Sequence, residues 1–207
     1  MVSKAVSLVA GLALLTGIAG CKIHVEKGAN GEDKNVRVDT PFGGVHVNTG
    51  QTTAADLGLP VYPGAAVVQD NDEHKSADVK MGFGEWQLRV LAVTYTTPDS
   101  RDKVSAFYKK ALGRYGDVIT CQGDTPVGTP TVTSQGLSCV DDGKHSTVHI
   151  DDSKNGFDLR NGLQLKAGSK RHQHIVGFED SKDNKTMFAL VSVSIPAGMD
   201  GSGGKSD

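Results

Sequence analysis

One stretch of this chain has the period of a helix; nearly everything around it has the period of a strand. Val104, Phe107, Tyr108, Ala111, Leu112 and Tyr115 recur at i, i+3, i+4, i+7, i+8 and i+11, which lines them along one side of a helix. Lys103, Lys109, Lys110 and Arg114 fill the polar remainder. Thr97-Pro98-Asp99-Ser100 supplies a start, because Thr97 or Asp99 can accept from the free N–H groups and Pro98 suits the first turn. Gly113 and Gly116 supply the stop. The spacing predicts a helix over 99–115 whose single apolar stripe must be buried against a sheet.

The strands are read from alternation. In 86–96, Trp86, Leu88, Val90, Ala92 and Thr94 share one parity and Leu91, Val93 and Tyr95 the other, so both faces of this strand are covered and it lies centrally. Trp86 is accordingly read as core rather than as a carbohydrate platform. In 186–195, Val191, Val193 and Ile195 alternate with Ser192 and Ser194, the pattern of a half-buried strand. Further strands are expected through Val67 and Val68 and over 117–121, 136–140, 146–150, 162–166 and 172–178, while 69–80 reads as a charged loop. Near the N-terminus, Val36-Arg37-Val38-Asp39-Thr40 and Val45-His46-Val47-Asn48-Thr49 flank Pro41-Phe42-Gly43-Gly44, a hairpin signal. An isolated hairpin is marginal in water, so this one either docks or moves. The fold class is therefore α+β: a mostly antiparallel β-sheet with one main amphipathic helix packed on it, plus an N-terminal β-hairpin.

The first residues address location. Lys4 precedes an uncharged apolar run over 5–19, which closes into Ile18-Ala19-Gly20-Cys21. A bilayer needs about 20 apolar residues, so the run is short for a span and fits a signal-peptide core. Its ending resembles the lipobox of bacterial lipoprotein signal peptides. The resemblance implies that 1–20 are removed and that Cys21 becomes a lipidated N-terminus, held in the membrane by about 0.8 kcal/mol for each buried acyl CH₂. Lys22, where inner-membrane retention uses aspartate, implies by the same resemblance an outer-membrane location facing the periplasm. Residues 21–35 then read as a flexible tether, 36–55 as the hairpin and its connection, 56–197 as the α+β domain and 198–207 as a disordered Gly/Ser-rich tail. With Cys21 assigned to lipid, Cys121 and Cys139 form an even pair in an oxidising compartment, where a disulfide is expected; a metal ligand or catalytic thiol is the rival. A formal net charge of −2 argues against a nucleic-acid partner.

Tyr62-Pro63-Gly64-Ala65, the strand ending in Thr97-Pro98-Asp99-Ser100, and Val104 with Phe107-Tyr108 together resemble an arrangement found in bacterial envelope lipoproteins of uncharacterised role. Leu165-Lys166-Ala167-Gly168 and the two strands after it resemble the C-terminal half of such proteins. The resemblance implies an antiparallel sheet with one packed helix and carries no activity with it.

Candidate chemistry is sparse. His145, His149 and Asp151 share a strand parity, but residues four apart on a strand are about 13 Å distant, too far for one metal ion. Lys170, Arg171, His172 and His174, near Lys166, form a cationic cluster that could contact lipid phosphate or an anionic glycan, more strongly once the histidines are protonated. Its rival is a solvated strand edge. Asp70, Asp72, Glu73 and Asp78 lack the register of a calcium loop. No nucleophile elbow, H-E-x-x-H, P-loop or dinucleotide fingerprint occurs. The expectation is a lipid-anchored, non-enzymatic envelope protein, without cofactor or metal, that binds or scaffolds an envelope protein or glycan. The alternatives are a carrier of a small apolar ligand in a pocket behind Phe107 and Leu112, and an envelope hydrolase.

Overall fold

The computed structural model describes residues 21–27, 33–70, 73–83, 86–140, 162–179 and 185–196. The expected signal peptide over 1–20, the expected strand at 146–150, the His145–His149–Asp151 set and the expected tail over 198–207 lie outside the described residues. In chain order the strands are β1 (Lys22–Lys27), β2 (Asp33–Thr40), β3 (Gly43–Thr49), β4 (Ala66–Val67), β5 (Gln69–Asp70), β6 (Glu73–His74), β7 (Ser76–Phe83) and β8 (Trp86–Thr97). After helix α1 (Arg101–Leu112) and a 3₁₀ turn (Gly113–Tyr115) come β9 (Ile119–Gln122), β10 (Thr125–Pro126), β11 (Leu163–Ser169), β12 (His172–Glu179) and β13 (Thr186–Ser194). One antiparallel sheet runs in the order β1-β2-β3-β7-β8-β13-β12-β11-β9-β10, with α1 packed on one face; the α+β class is as read.

The helix is placed by its stripe. Val104, Tyr108 and Leu112 have no exposed surface, and they meet Leu91, Val93, Tyr95, Leu165, Val176, Phe178, Phe188 and Leu190 from four strands. Phe188 is the hub: its ring lies 5.5 Å from Tyr108, 5.7 Å from Tyr95 and 6.4 Å from both Tyr62 and Phe178. The second face buries Val90, Ile175, Ala189, Val191, Val193 and Ile195. Burial on both parities of β8 is what its alternation required.

Several local expectations change. Lys22–Lys27 is strand rather than tether: Ile23 pairs with Val38 and Val25 with Val36, so the N-terminal hairpin gains a third strand. That unit joins the main sheet edge-on through β3 and β7. The stretch 69–80 is not a loop. β4 and β7 line the same edge of β8, and the small β5–β6 hairpin is extruded between them. Its base is closed by the Lys75 N–H donating to the Val68 carbonyl at 2.7 Å, while β8 bonds both segments through Thr94. Of its charged residues, Asp78 and Lys80 fall on one parity of β7, and the others precede that strand. The expected strand at 136–140 reduces to one bridge, Val132 with Ser138. Helix α1 begins at Arg101, one residue later than an Asp99 cap and three later than a Thr97 cap would place it. Ser100 is the capping residue and makes no side-chain cap bond, and the Asp99 carboxylate accepts from Tyr62 and Lys103 instead of capping the helix. Trp86 is 47 % exposed, not core, because it opens β8 at the end of the sheet, on the face opposite the one that α1 covers. Cys121 and Cys139 stand as a disulfide-compatible pair with Cα atoms 5.5 Å apart. Closing a loop of that sequence separation is worth about 3 kcal/mol in the chain-entropy account.

Candidate functional site

The segments that carry the lipoprotein resemblance converge. Tyr62-Pro63-Gly64-Ala65 is a tight turn in which the Ala65 N–H donates to the Tyr62 carbonyl at 3.0 Å. Pro63 at the second position and Gly64 at φ 76° at the third are what a type II turn demands. The Tyr62 hydroxyl donates to Asp99 Oδ2 at 2.9 Å, and the Phe107 ring stands edge-on to Tyr62 at 5.2 Å. Tyr108 donates to the Pro60 carbonyl at 3.1 Å, and Thr186 donates to the Asp99 carbonyl at 2.7 Å. Hydrogen bonds from Lys103 and then Tyr62 hold the Asp99 carboxyl below its ordinary range. Burial, then the bond to Asp99, pushes the Tyr62 phenol up. These residues tie turn, strand end and helix into one joint.

The cationic cluster divides. Lys170 and Arg171 form the two-residue turn between β11 and β12, and with His172 they are exposed. β12 is no sheet edge, since β11 and β13 flank it. His174 leaves the cluster: its ring stacks on Tyr115 at 3.7 Å, with the Arg114 guanidinium 4.8 Å from the Tyr115 ring centre. Burial pulls the His174 pKa down, outweighing a hydrogen bond with the Leu57 backbone, and Arg114 and His172 lower it further. Protonation of His174 is thus opposed by its setting. Among the described residues no group of three or more His, Cys, Asp and Glu could hold a metal ion, and no helix is long and apolar enough to cross a membrane.

The feature that residue-by-residue reading missed is a two-faced arm made of β1, β2, β3, β7 and the first half of β8. Cross-strand partners share a face, so the register defines rows. Ile23, Val38, Val45, Met81 and Leu88 form one row; Val25, Val36, Val47, Val79, Val90 and Val193 form the next. The opposite face carries Arg37, Asp39, His46, Asp78, Lys80 and Arg89. Arg37 Nε lies 2.6 Å from Asp39, His46 3.3 Å from Asp39, Lys80 3.2 Å and Arg89 2.8 Å from Asp78. Burial pushes the Asp78 carboxyl up, but the bonds from Arg89 and Lys80 prevail and hold it low. The apolar rows are buried at β8 and β13, half-buried through β3 and β2, and open at the edge, where Ile23 is 67 % exposed. Alternating valines in 36–49 were the available signal; what the sequence did not disclose was the partner strand that extends them into rows. Cys21, exposed and unpaired with another cysteine, immediately precedes β1. Comparison with protein-family models, curated proteins and solved structures finds no match for the chain.

Proposed function

We propose that this chain is a lipid-anchored bacterial envelope protein with a non-enzymatic binding or scaffolding role, attached through Cys21 on the periplasmic side of the outer membrane. The observation that carries the reading is the arm, an exposed apolar sheet face on strands that start at the residue after the lipobox cysteine. A monomer has no use for open rows of valine and isoleucine; such patches mark interaction surfaces. The carboxylates point the same way. Asp39, Asp56, Asp78, Asp99 and Asp117 are all held below their ordinary range by partners, whereas a general acid needs a raised pKa. Hydrogen bonds from Arg37 and Thr53 are the first causes at Asp39 and Asp56, and bonds from Ser134 at Asp117.

Two measurements test this. Cys21→Ser should move the protein from the membrane to the soluble fraction and remove the acyl mass from the mature N-terminus; an unchanged distribution rejects the anchor. A photo-cross-linking residue at position 25, on the open face, should capture one defined envelope protein or glycan that position 61, exposed on the connection before the Tyr62 turn, does not. Equal capture from both positions rejects the arm as the binding face.

A further inference from the structure

Three exposed features meet at one end of the sheet. Lys22 pairs with Asp39 and Thr40 with Gly43, so Cys21 stands level with the Pro41-Phe42 turn that joins β2 to β3. Gly44 pairs with Gly82 and Phe83 with Trp86, so the first residue of β8 stands at the same level. One cross-strand row therefore runs from Cys21 through Thr40 and Gly43 to Trp86. With strands about 4.8 Å apart, Trp86 lies about 19 Å from the anchor residue along the sheet end. Phe42 projects from this end and is 82 % exposed, the most open of the large apolar side chains described. Trp86 has the same parity as Met81 and Ile23, both exposed, on the apolar face.

We infer that this end of the sheet rests on the lipid bilayer, with Phe42 and Trp86 in the headgroup–acyl interface beside the lipid on Cys21. The inference rests on the reading of Cys21 as lipidated. It follows from the missing tether: β1 starts at Lys22, and a single residue reaches at most about 3.6 Å, so the row cannot be lifted clear of the headgroups. An exposed phenylalanine and a half-exposed tryptophan held there lose unfavourable contact with water by entering the interface, where tryptophan is at home. The charges nearby permit it. Lys22 is exposed and can meet lipid phosphate, and the Asp39 carboxylate beside it is neutralised by Arg37. The domain then stands on the membrane in a fixed orientation instead of swinging on a leash. The Tyr62 joint at the far end of β8 is held away from the bilayer.

Trp86 is the chain's single tryptophan, so its emission reports on this end alone. The lipidated protein is reconstituted into vesicles of phosphatidylethanolamine and phosphatidylglycerol, some carrying lipids brominated at defined acyl positions. The expected result is blue-shifted emission relative to the Cys21→Ser chain, with quenching strongest for the shallowest bromine. Phe42→Asp, at an exposed turn tip, should keep the protein vesicle-bound but abolish most of that quenching. Protein that floats with vesicles yet has unshifted, unquenched emission overturns the inference and leaves the anchor intact. A blue shift without bromine quenching also overturns it, since it assigns the surface to a protein neighbour or a second copy. A chain that carries no lipid and does not float overturns the anchor reading together with the inference built on it.

Discussion

Phe188 is the residue on which the helix–sheet interface depends most. Its side chain has no exposed surface, and its ring touches those of Tyr62, Tyr95, Tyr108 and Phe178, drawn from the turn, a neighbouring strand, the helix and the strand on its other side. Phe188→Ala removes the ring from a site whose walls are themselves rigid rings and cannot collapse. The cost belongs at the upper end of the measured range for such truncations, about 4–5 kcal/mol. Natural domains hold about 5–15 kcal/mol in total, so the variant should be close to unfolding. Phe188→Leu keeps most of the volume and should cost about 1.5 kcal/mol. Urea unfolding followed by circular dichroism measures both. With an m-value of about 2 kcal/mol per molar, Phe188→Ala should lower the midpoint by about 2 M or more. Phe42→Ala, cut from an exposed tip, serves as the control and should leave the midpoint in place. A loss below about 2 kcal/mol for Phe188→Ala, or an equal loss for Phe42→Ala, would refute the assignment of the core to this ring cluster.

Two further outcomes are expected. Gly168 sits in β11 at φ 106°, where an added Cβ would lie 2.2 Å from the His172 carbonyl oxygen, whereas a Cβ at Gly64, φ 76°, would meet nothing within 4 Å. Gly64→Ala should therefore cost only the left-handed backbone penalty, about 1–2 kcal/mol, and Gly168→Ala about 2 kcal/mol more; thermal melts giving the reverse order would contradict the β11–β12 geometry. The lowered pKa of His174 makes the folded state bind its proton later than the unfolded chain does as pH falls. Its contribution is intact above the ordinary value of 6.5 and is lost as pH drops from there through the folded pKa. Unfolding titrations should thus find wild type losing ground to His174→Gln below pH 6.5; a constant or widening advantage for wild type would show that His174 is not buried under Tyr115.

How far local pattern reaches can be judged element by element. Val104, Phe107, Tyr108 and Leu112 announced a helix because an i, i+3, i+4 spacing has one conformation that puts all four on the same side. Pro63-Gly64 announced a turn because each residue restricts or permits φ on its own account. The double parity of β8 announced a central strand, and the even cysteine pair announced its own junction. For helix, turn and strand the restricting physics acts within a few residues; the cysteine pair, 18 residues apart, was legible only by parity of number. Pairing is different. Nothing in Lys22–Lys27 names Val36 and Val38 as its partners, and nothing in 69–80 states that β7 lies between β3 and β8. Alternation tells which side chains share a face, while the neighbour across the ladder is chosen by contacts remote in the chain. Tertiary structure alone therefore turned a polar tether into an edge strand and separated valines into continuous apolar rows. It exposed Trp86 at the end of the sheet and withdrew His174 from its cationic neighbours by placing Tyr115 against it.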